Sequence, residues 1–338
     1  MTAAAREATS RTRRWVARTA LGAGIALSLV GATLAWGWWV QPSVLVVPLR
    51  QVGYWRLGVT PRSIEIGGHA WPYLEAGPPD GPPMVFLHGY GTSKDAMMSM
   101  AAFFARRGWR TLAPDLPGFA AHPFHRGERH DGALYAREAG RFMDAVGAPA
   151  AVVVGTSMGG AVACEMAISD AARVRALLML SPAGVDPPVR NAFMRRADSG
   201  ENPLDLATEA DFDRITATVF ARPPVVPAPF RRWFVEQAVA RRDDTLQIAD
   251  ALRPFLVSGL DGRMGAVRAP TFVLYGTADM VTDPSMMSTF VREITHARTA
   301  LIPGAGHVAF SDDFPATVGA MNAFLREAGL APDAVTPP

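Results

Sequence analysis

Gly155-Thr156-Ser157-Met158-Gly159 is the segment whose residue types and spacing point most directly to chemistry. A β-branched run, 152–154, precedes it, and an alanine-rich stretch of helical character follows. A serine held on a tight strand-to-helix turn is forced into a strained backbone conformation that exposes its hydroxyl. The flanking glycines have no side chain to collide with neighbouring chain, and amides at the start of the helix favour nearby negative charge. Such a serine becomes a nucleophile only if a base takes its proton and an acid orients the base. His307, in Gly304-Ala305-Gly306-His307-Val308, and Asp279, in Tyr275-Gly276-Thr277-Ala278-Asp279, supply those two types. The chain order Ser157, Asp279, His307 is one of the known orders for this triad. Asp283 is a near rival for the acid and Asp186 a more distant one, while Asp279 is also placed to cap a helix. A tetrahedral intermediate needs donors for its oxyanion. The loop His88-Gly89-Tyr90-Gly91 makes the backbone N–H of Tyr90 an expected donor, with that of Met158 as the second.

Each of these groups follows a predicted strand. Strands are expected over 63–66 and 70–75, joined by a Gly67-Gly68 turn, and over 84–87, 110–113, 150–154, 176–180, 271–275 and 299–302. Helices are expected over 94–107, 134–146, 161–168, 285–294 and 316–328. Strands alternating with helices imply an α/β fold with a mostly parallel sheet covered on both faces. Open sheets of that kind place their sites at strand C-terminal ends, where Ser157, Asp279 and His307 all fall.

The alternation stops between 186 and 265, a stretch that reads as an inserted helical cap with helices over 204–220, 230–240 and 245–255. A cap at that edge of the sheet roofs the serine. Phe193, Met194, Phe220, Val225, Val226, Phe230, Trp233 and Phe234 are its candidates for lining an apolar acyl pocket, with more than half expected to pack the cap's own core.

The chain has 338 residues, a net charge of +2 and 49% hydrophobic residues, which excludes disorder. Its single cysteine, Cys164, excludes a disulfide scaffold and cysteine-rich structural zinc, and is expected in the core. Five arginines against one glutamate give residues 1–18 a charge of +4, so the rest of the chain carries −2 of the total +2. That near-neutral body argues against nucleic acid as a partner. No residue from 19 to 49 is charged. A helix over 19–40 would span about 33 Å, matching a bilayer core of about 30 Å. Trp36, Trp38 and Trp39 lie at its far end, where amphipathic rings settle at the lipid boundary. The division expected is a basic cytoplasmic tail over 1–18, a transmembrane anchor over 19–40, a connector over 41–61, a core over 62–185 and 266–330, and a tail over 331–338. The catalytic part would then be extracytoplasmic, which means periplasmic in a bacterium. A cleaved signal peptide is the alternative, with Thr33-Leu34-Ala35 as a poor cut site.

Other polar residues read as structural. His88 is expected to hold its loop and Asp115 to fix its own. His122, His125 and His130 cluster before a helix at a spacing that fits no metal motif, so solvated loop residues are the expectation.

The loop 88–91, the elbow 155–159, Gly276-x-x-Asp279 and Gly306-His307 together resemble the α/β-hydrolase superfamily over about residues 60–328. The anchor, Lys94-Asp95, Gly155–Gly160 and Ser181-Pro182-Ala183-Gly184 are similar to membrane-anchored monoacylglycerol lipases and related bacterial lipases and esterases. The cap stretches around Asn202-Pro203-Leu204 and Phe220-Ala221-Arg222-Pro223-Pro224 resemble the bacterial lipases too. One departure is Gly118-Phe119-Ala120, where many relatives carry a second glycine. The resemblance implies an α/β-hydrolase fold and serine hydrolysis of esters without cofactor or metal. A membrane anchor beside an apolar cap suggests lipid-derived esters, such as monoacylglycerols or short- and medium-chain acyl esters. Hydrolysis of C–C bonds in ring-cleavage products and acyl transfer are rival chemistries on the same scaffold, and a non-catalytic binding protein is the rival of another class.

Overall fold

The computed structural model describes residues 3–332, apart from 124–126 and 128. Eight strands form one sheet: β1 (Thr60–Ile66), β2 (His69–Ala76), β3 (Pro83–Leu87), β4 (Arg110–Pro114), β5 (Ala151–Thr156), β6 (Val174–Leu180), β7 (Thr271–Gly276) and β8 (Arg298–Ile302). Their spatial order is β1-β2-β4-β3-β5-β6-β7-β8. β1 and β2 pair antiparallel, as do β2 and β4, and every other pair is parallel. The parallel strands therefore all end at one edge. The β1–β2 hairpin closes on Gly67-Gly68, both at positive φ (62° and 82°), the backbone that a two-residue hairpin turn with the strands' own twist requires.

Two helices precede the sheet, α1 (Ala3–Trp39) and α2 (Ser43–Leu57). Within α1, Arg18–Trp39 is long and apolar enough to cross a membrane, and it is almost wholly exposed. Residues 41–61, expected as a connector, instead hold α2. Gln41-Pro42 does interrupt the first helix, but the chain resumes helix at once, and Pro48 inside α2 does not stop it. Val46 and Tyr54 are buried, and the Tyr54 hydroxyl donates to Asp95 at 2.5 Å, so packing on the core overrides the proline.

The two faces of the sheet are covered by the remaining core helices. Along β3 the side chains alternate: Met84 and Phe86 enter one core, Val85 and Leu87 the other. The first core is closed by α3 (Met98–Ala105) and, at the end of the chain, by Val318, Met321 and Phe324. The second is closed by α4 (Gly132–Ala145), capped by Asp131, and α5 (Met158–Ser169). Every residue of β5 and β7 is buried, as expected of central parallel strands.

Between β6 and β7 lies the helical cap: α6 (Ala192–Asp198), α7 (Glu209–Val219), α8 (Ala228–Val239) and α9 (Arg242–Ser258). The helix expected over 204–220 begins only at Glu209. Thr208 caps it, its hydroxyl accepting from the Asp211 amide while the Asp211 carboxylate accepts from the Thr208 amide. Arg232 of α8 donates to the carbonyls at the end of α1, 3.1 Å to Trp39 and a second bond to Trp38, so the cap rests against the exit of the apolar helix. The C-terminal elements are α10 (Met287–Glu293), α11 (Ala309–Asp312) and α12 (Phe314–Glu327).

Ala120, where the family resemblance calls for glycine, adopts φ 49°. A Cβ in that left-handed region crowds the following carbonyl at a cost of roughly 1–2 kcal/mol, partly offset by glycine's greater unfolded entropy. Ala120→Gly should therefore stabilise the protein by about 0.5–1 kcal/mol in urea denaturation. An unchanged or lower midpoint would contradict the strain.

Candidate active site

Three glycines let separate strand ends crowd together. A Cβ on Gly155 would lie 2.1 Å from the Gly159 carbonyl oxygen, and one on Gly159 would lie 2.2 Å from that of Leu87. Neither has positive φ, so what they supply is space. Between them Ser157 takes φ 53°, ψ −119°, a strained backbone for any L-residue. Its amide donates to Leu180 at the end of β6, and its carbonyl accepts from Ala161 and Ala183. The third glycine, Gly276, would place a Cβ 2.2 Å from the Ala305 oxygen, so the end of β7 is pressed against the loop that carries His307.

Asp279 and His307 meet across that contact. His307 Nδ1 lies 2.9 Å from Asp279 Oδ2 and 3.1 Å from Oδ1, with both residues buried. The carboxylate is further satisfied by the amides of Val281 (2.9 Å) and Thr282 (3.0 Å) and by the Thr282 hydroxyl (2.9 Å). A carboxylate beside Nδ1 assigns the ring proton to that nitrogen and leaves Nε2 bare. The rival acids are placed elsewhere. Asp283 caps the turn at Pro284–Met286 by accepting from the Ser285 amide, and Asp186 is exposed and paired with Arg190.

The end of β6 lies between this pair and the serine. Leu180 accepts from the Ser157 amide, and the adjacent Ser181 carbonyl lies 3.1 Å from the Thr282 hydroxyl, itself 3.1 Å from His307 Nδ1. Among the described residues no hydrogen bond joins Ser157 Oγ to the His307 ring. Nucleophile–base contacts are often long in unliganded enzymes and tighten with substrate. Thr282 went unnoticed in the sequence. Its signal is its place three residues after Asp279, within reach of the Asp279 carboxylate.

The amides of Tyr90 and Met158 have no hydrogen-bond acceptor among the described residues, and Met158 opens α5. Two open N–H groups, one of them at the N-terminus of α5, suit a developing anion. Gly89 brings their loops together: a Cβ there would be 3.4 Å from Ser157 Cβ. The Tyr90 hydroxyl reaches upward, donating to the Thr245 carbonyl at 2.9 Å and accepting from Asn202 at 3.1 Å, which ties this loop to the cap. Beneath it, fully buried His88 accepts from the Leu116 amide through Nε2 and bonds the Gly89 carbonyl through Nδ1. Asp115 accepts from the Lys94 amide and ammonium.

Of the acyl-pocket candidates, Phe220 lies beside the histidine loop, since the Val219 carbonyl accepts from His307 N–H at 2.9 Å. Met194 is buried in the core with Ile248 and Leu252, Phe234 stacks on Phe212, and Trp233 packs edge-on to Phe234. Phe193, Val226 and Phe230 are half-buried. Val225, expected in the pocket, is 98% exposed, because the proline-rich run 222–229 carries it over the surface. His122 meets Trp71 edge-on and His130 meets the Tyr135 hydroxyl at 3.1 Å; both are buried, against the expectation of solvated histidines, while His125 lies outside the described residues. Cys164 is buried in the core and its thiol is pushed upward by desolvation.

A profile described as the alpha/beta hydrolase fold matches residues 82–314. Lipase 1 of Psychrobacter immobilis is 25% identical over 91% of this chain and 96% of its own length. Monoacylglycerol lipase abhd6-B of Xenopus laevis is 24% identical over 75% of this chain and 79% of its own. Among solved structures, a membrane phospholipase A described as a bacterial virulence factor superposes with a TM-score of 0.82 at 27% identity, covering 92% of this chain and 99% of its own.

Burial lowers the pKa of His88 below its ordinary value. As pH falls, the unfolded chain takes up this proton first, near pH 6.5. The stability due to neutral His88 is therefore complete above that pH and is lost progressively below it. Urea denaturation should show wild type losing more stability than His88→Asn between pH 7 and pH 5. Equal losses would contradict the assignment.

Proposed function

The chain belongs to the alpha/beta hydrolase fold family and is a hydrolase of the lipase and esterase type, and from that premise we propose that it is a membrane-tethered serine hydrolase of lipid-derived carboxylic esters. The observation that supports the mechanism is the buried Asp279–His307 bond of 2.9 Å, at the same edge of the sheet as a serine on a strained elbow. In this reading bare His307 Nε2 removes the Ser157 proton as Oγ attacks the ester carbonyl. The carbonyl oxygen becomes an oxyanion and receives the N–H groups of Tyr90 and Met158. Collapse of the intermediate expels the alcohol, which takes the proton from the imidazolium, and leaves an acyl group on Ser157. Water, deprotonated by the same nitrogen, repeats the attack and releases the acid. Asp279 fixes the ring and stabilises its charged form throughout.

The lipid reading rests on the apolar helix Arg18–Trp39, on the contact of α8 with the end of that helix, and on relatives named for lipid substrates. Arginines before the helix favour a cytoplasmic N-terminus, with the site on the other side of the membrane. Monoacylglycerols and short- to medium-chain acyl esters are the substrates this reading assigns.

Ser157→Ala should abolish p-nitrophenyl ester turnover and fluorophosphonate labelling, and Asp279→Asn should lower kcat by about 10⁴-fold. Full labelling of the serine variant would overturn the nucleophile. The full chain should stay with membranes washed at high pH. Its release intact would overturn the tether.

A further inference from the structure

We propose that Asp312 is a positioning residue that holds the catalytic base through the cap, an inference that rests on the role proposed for His307. Asp312 closes α11, five residues after His307. Its carboxylate gathers three backbone N–H groups from two distant stretches of chain. Oδ2 accepts from Gly306 at 2.8 Å and Ala221 at 3.1 Å, and Oδ1 accepts from Arg222 at 2.9 Å. Gly306 directly precedes the base, and Ala221-Arg222 follow α7 after the extended residue Phe220.

Two further observations show how tightly these segments meet. The His307 amide itself donates to the Val219 carbonyl at 2.9 Å. Gly306 leaves no room between the segments: a Cβ there would lie 2.6 Å from the Ala221 nitrogen and 2.9 Å from the Val219 oxygen. Gly306 does not have positive φ, so the close approach, not the backbone angle, demands glycine. The base is thus fixed from two sides. Asp279 orients its ring, and the cap segment 219–222, clasped by Asp312, orients its peptide.

The carboxylate matters because it is one acceptor group for donors that face each other. Hydrogen bonds to an ionised acceptor are about twice as strong as neutral ones. Without it the amides of Gly306, Ala221 and Arg222 lose their shared acceptor, and the two segments are held together only through the Val219 carbonyl. A displacement of about 1 Å at a catalytic group can cost about 10²-fold in rate. The end of α7 therefore belongs to the wall of the site and does not act as a free lid.

The test uses the full chain with a soluble p-nitrophenyl ester, with kcat counted per fluorophosphonate-reactive site. Asp312→Ala should lower kcat about 10- to 100-fold with KM changed less than about threefold. Asp312→Asn, which keeps one acceptor oxygen, should recover part of the loss. Ala221→Pro removes one donor from the cap side, where Phe220 is already extended (φ −108°, ψ 135°) as a residue before proline must be. It should lower kcat in the same way, and the double variant should be no slower than Asp312→Ala alone. If Ser157→Ala is inactive yet Asp312→Ala keeps kcat per site within about twofold, or the two single losses multiply, the positioning role is overturned and the triad stands. If Ser157→Ala remains active, the reading of the reaction itself fails.

Discussion

The contact on which the rest depends is the hydrogen bond between His307 and Asp279. Asp279 is a carboxylate with no solvent-exposed side-chain surface, and an unpaired charge there would be prohibitively costly. It is tolerated because four protein donors converge on it: the His307 ring, two amides of its own turn and the Thr282 hydroxyl. None of these donors is free to leave without exposing a buried charge. The imidazole is consequently fixed in tautomer and orientation before any substrate arrives. In the mechanism we propose, that pre-organisation is what the scaffold contributes to a base of modest intrinsic strength.

Meeting that constraint sets the form of the surrounding chain. Asp279 and His307 leave the sheet from adjacent strands, β7 and β8, and Ser157 leaves it two strands away on β5, with the end of β6 between. Parallel pairing brings all these ends to one edge, but side chains on the turns would hold them apart. Gly155, Gly159 and Gly276 remove that obstacle, each at a place where a Cβ would fall about 2 Å from a backbone carbonyl oxygen, of Gly159, Leu87 and Ala305 respectively. The cap bonds to the loops on both sides of this edge, to the Tyr90 loop through Thr245 and to the His307 loop through Val219.

Much of this was legible in the sequence where the signal is local. The strand ends before Ser157, Asp279 and His307 are each marked by an apolar run stopping at glycine, and those strands agree with the observed ones to within two residues. Contacts between distant segments left no such mark. Helix α2 was hidden because Pro48 argues against a helix, whereas the Tyr54–Asp95 bond that favours it spans 41 residues. Residues 204–208 have apolar spacing that suits a helix, yet the Thr208–Asp211 capping box starts α7 later. Val225 looked like pocket lining by type alone, and the prolines around it send it into solvent. Asp312 carries no motif, since its three partners are backbone amides that any sequence supplies. The departure at Ala120 was visible in the sequence, but its left-handed backbone was not.

The account is tested most directly by the Nδ1 proton of His307, observed by NMR in the full chain with ¹⁵N-labelled histidine. A buried imidazole N–H facing a carboxylate should give a far-downfield proton resonance, split by its nitrogen and slow to exchange with water. That resonance should persist in Ser157→Ala and vanish in Asp279→Ala. Its absence from the wild type, or its survival after the carboxylate is removed, would contradict the arrangement.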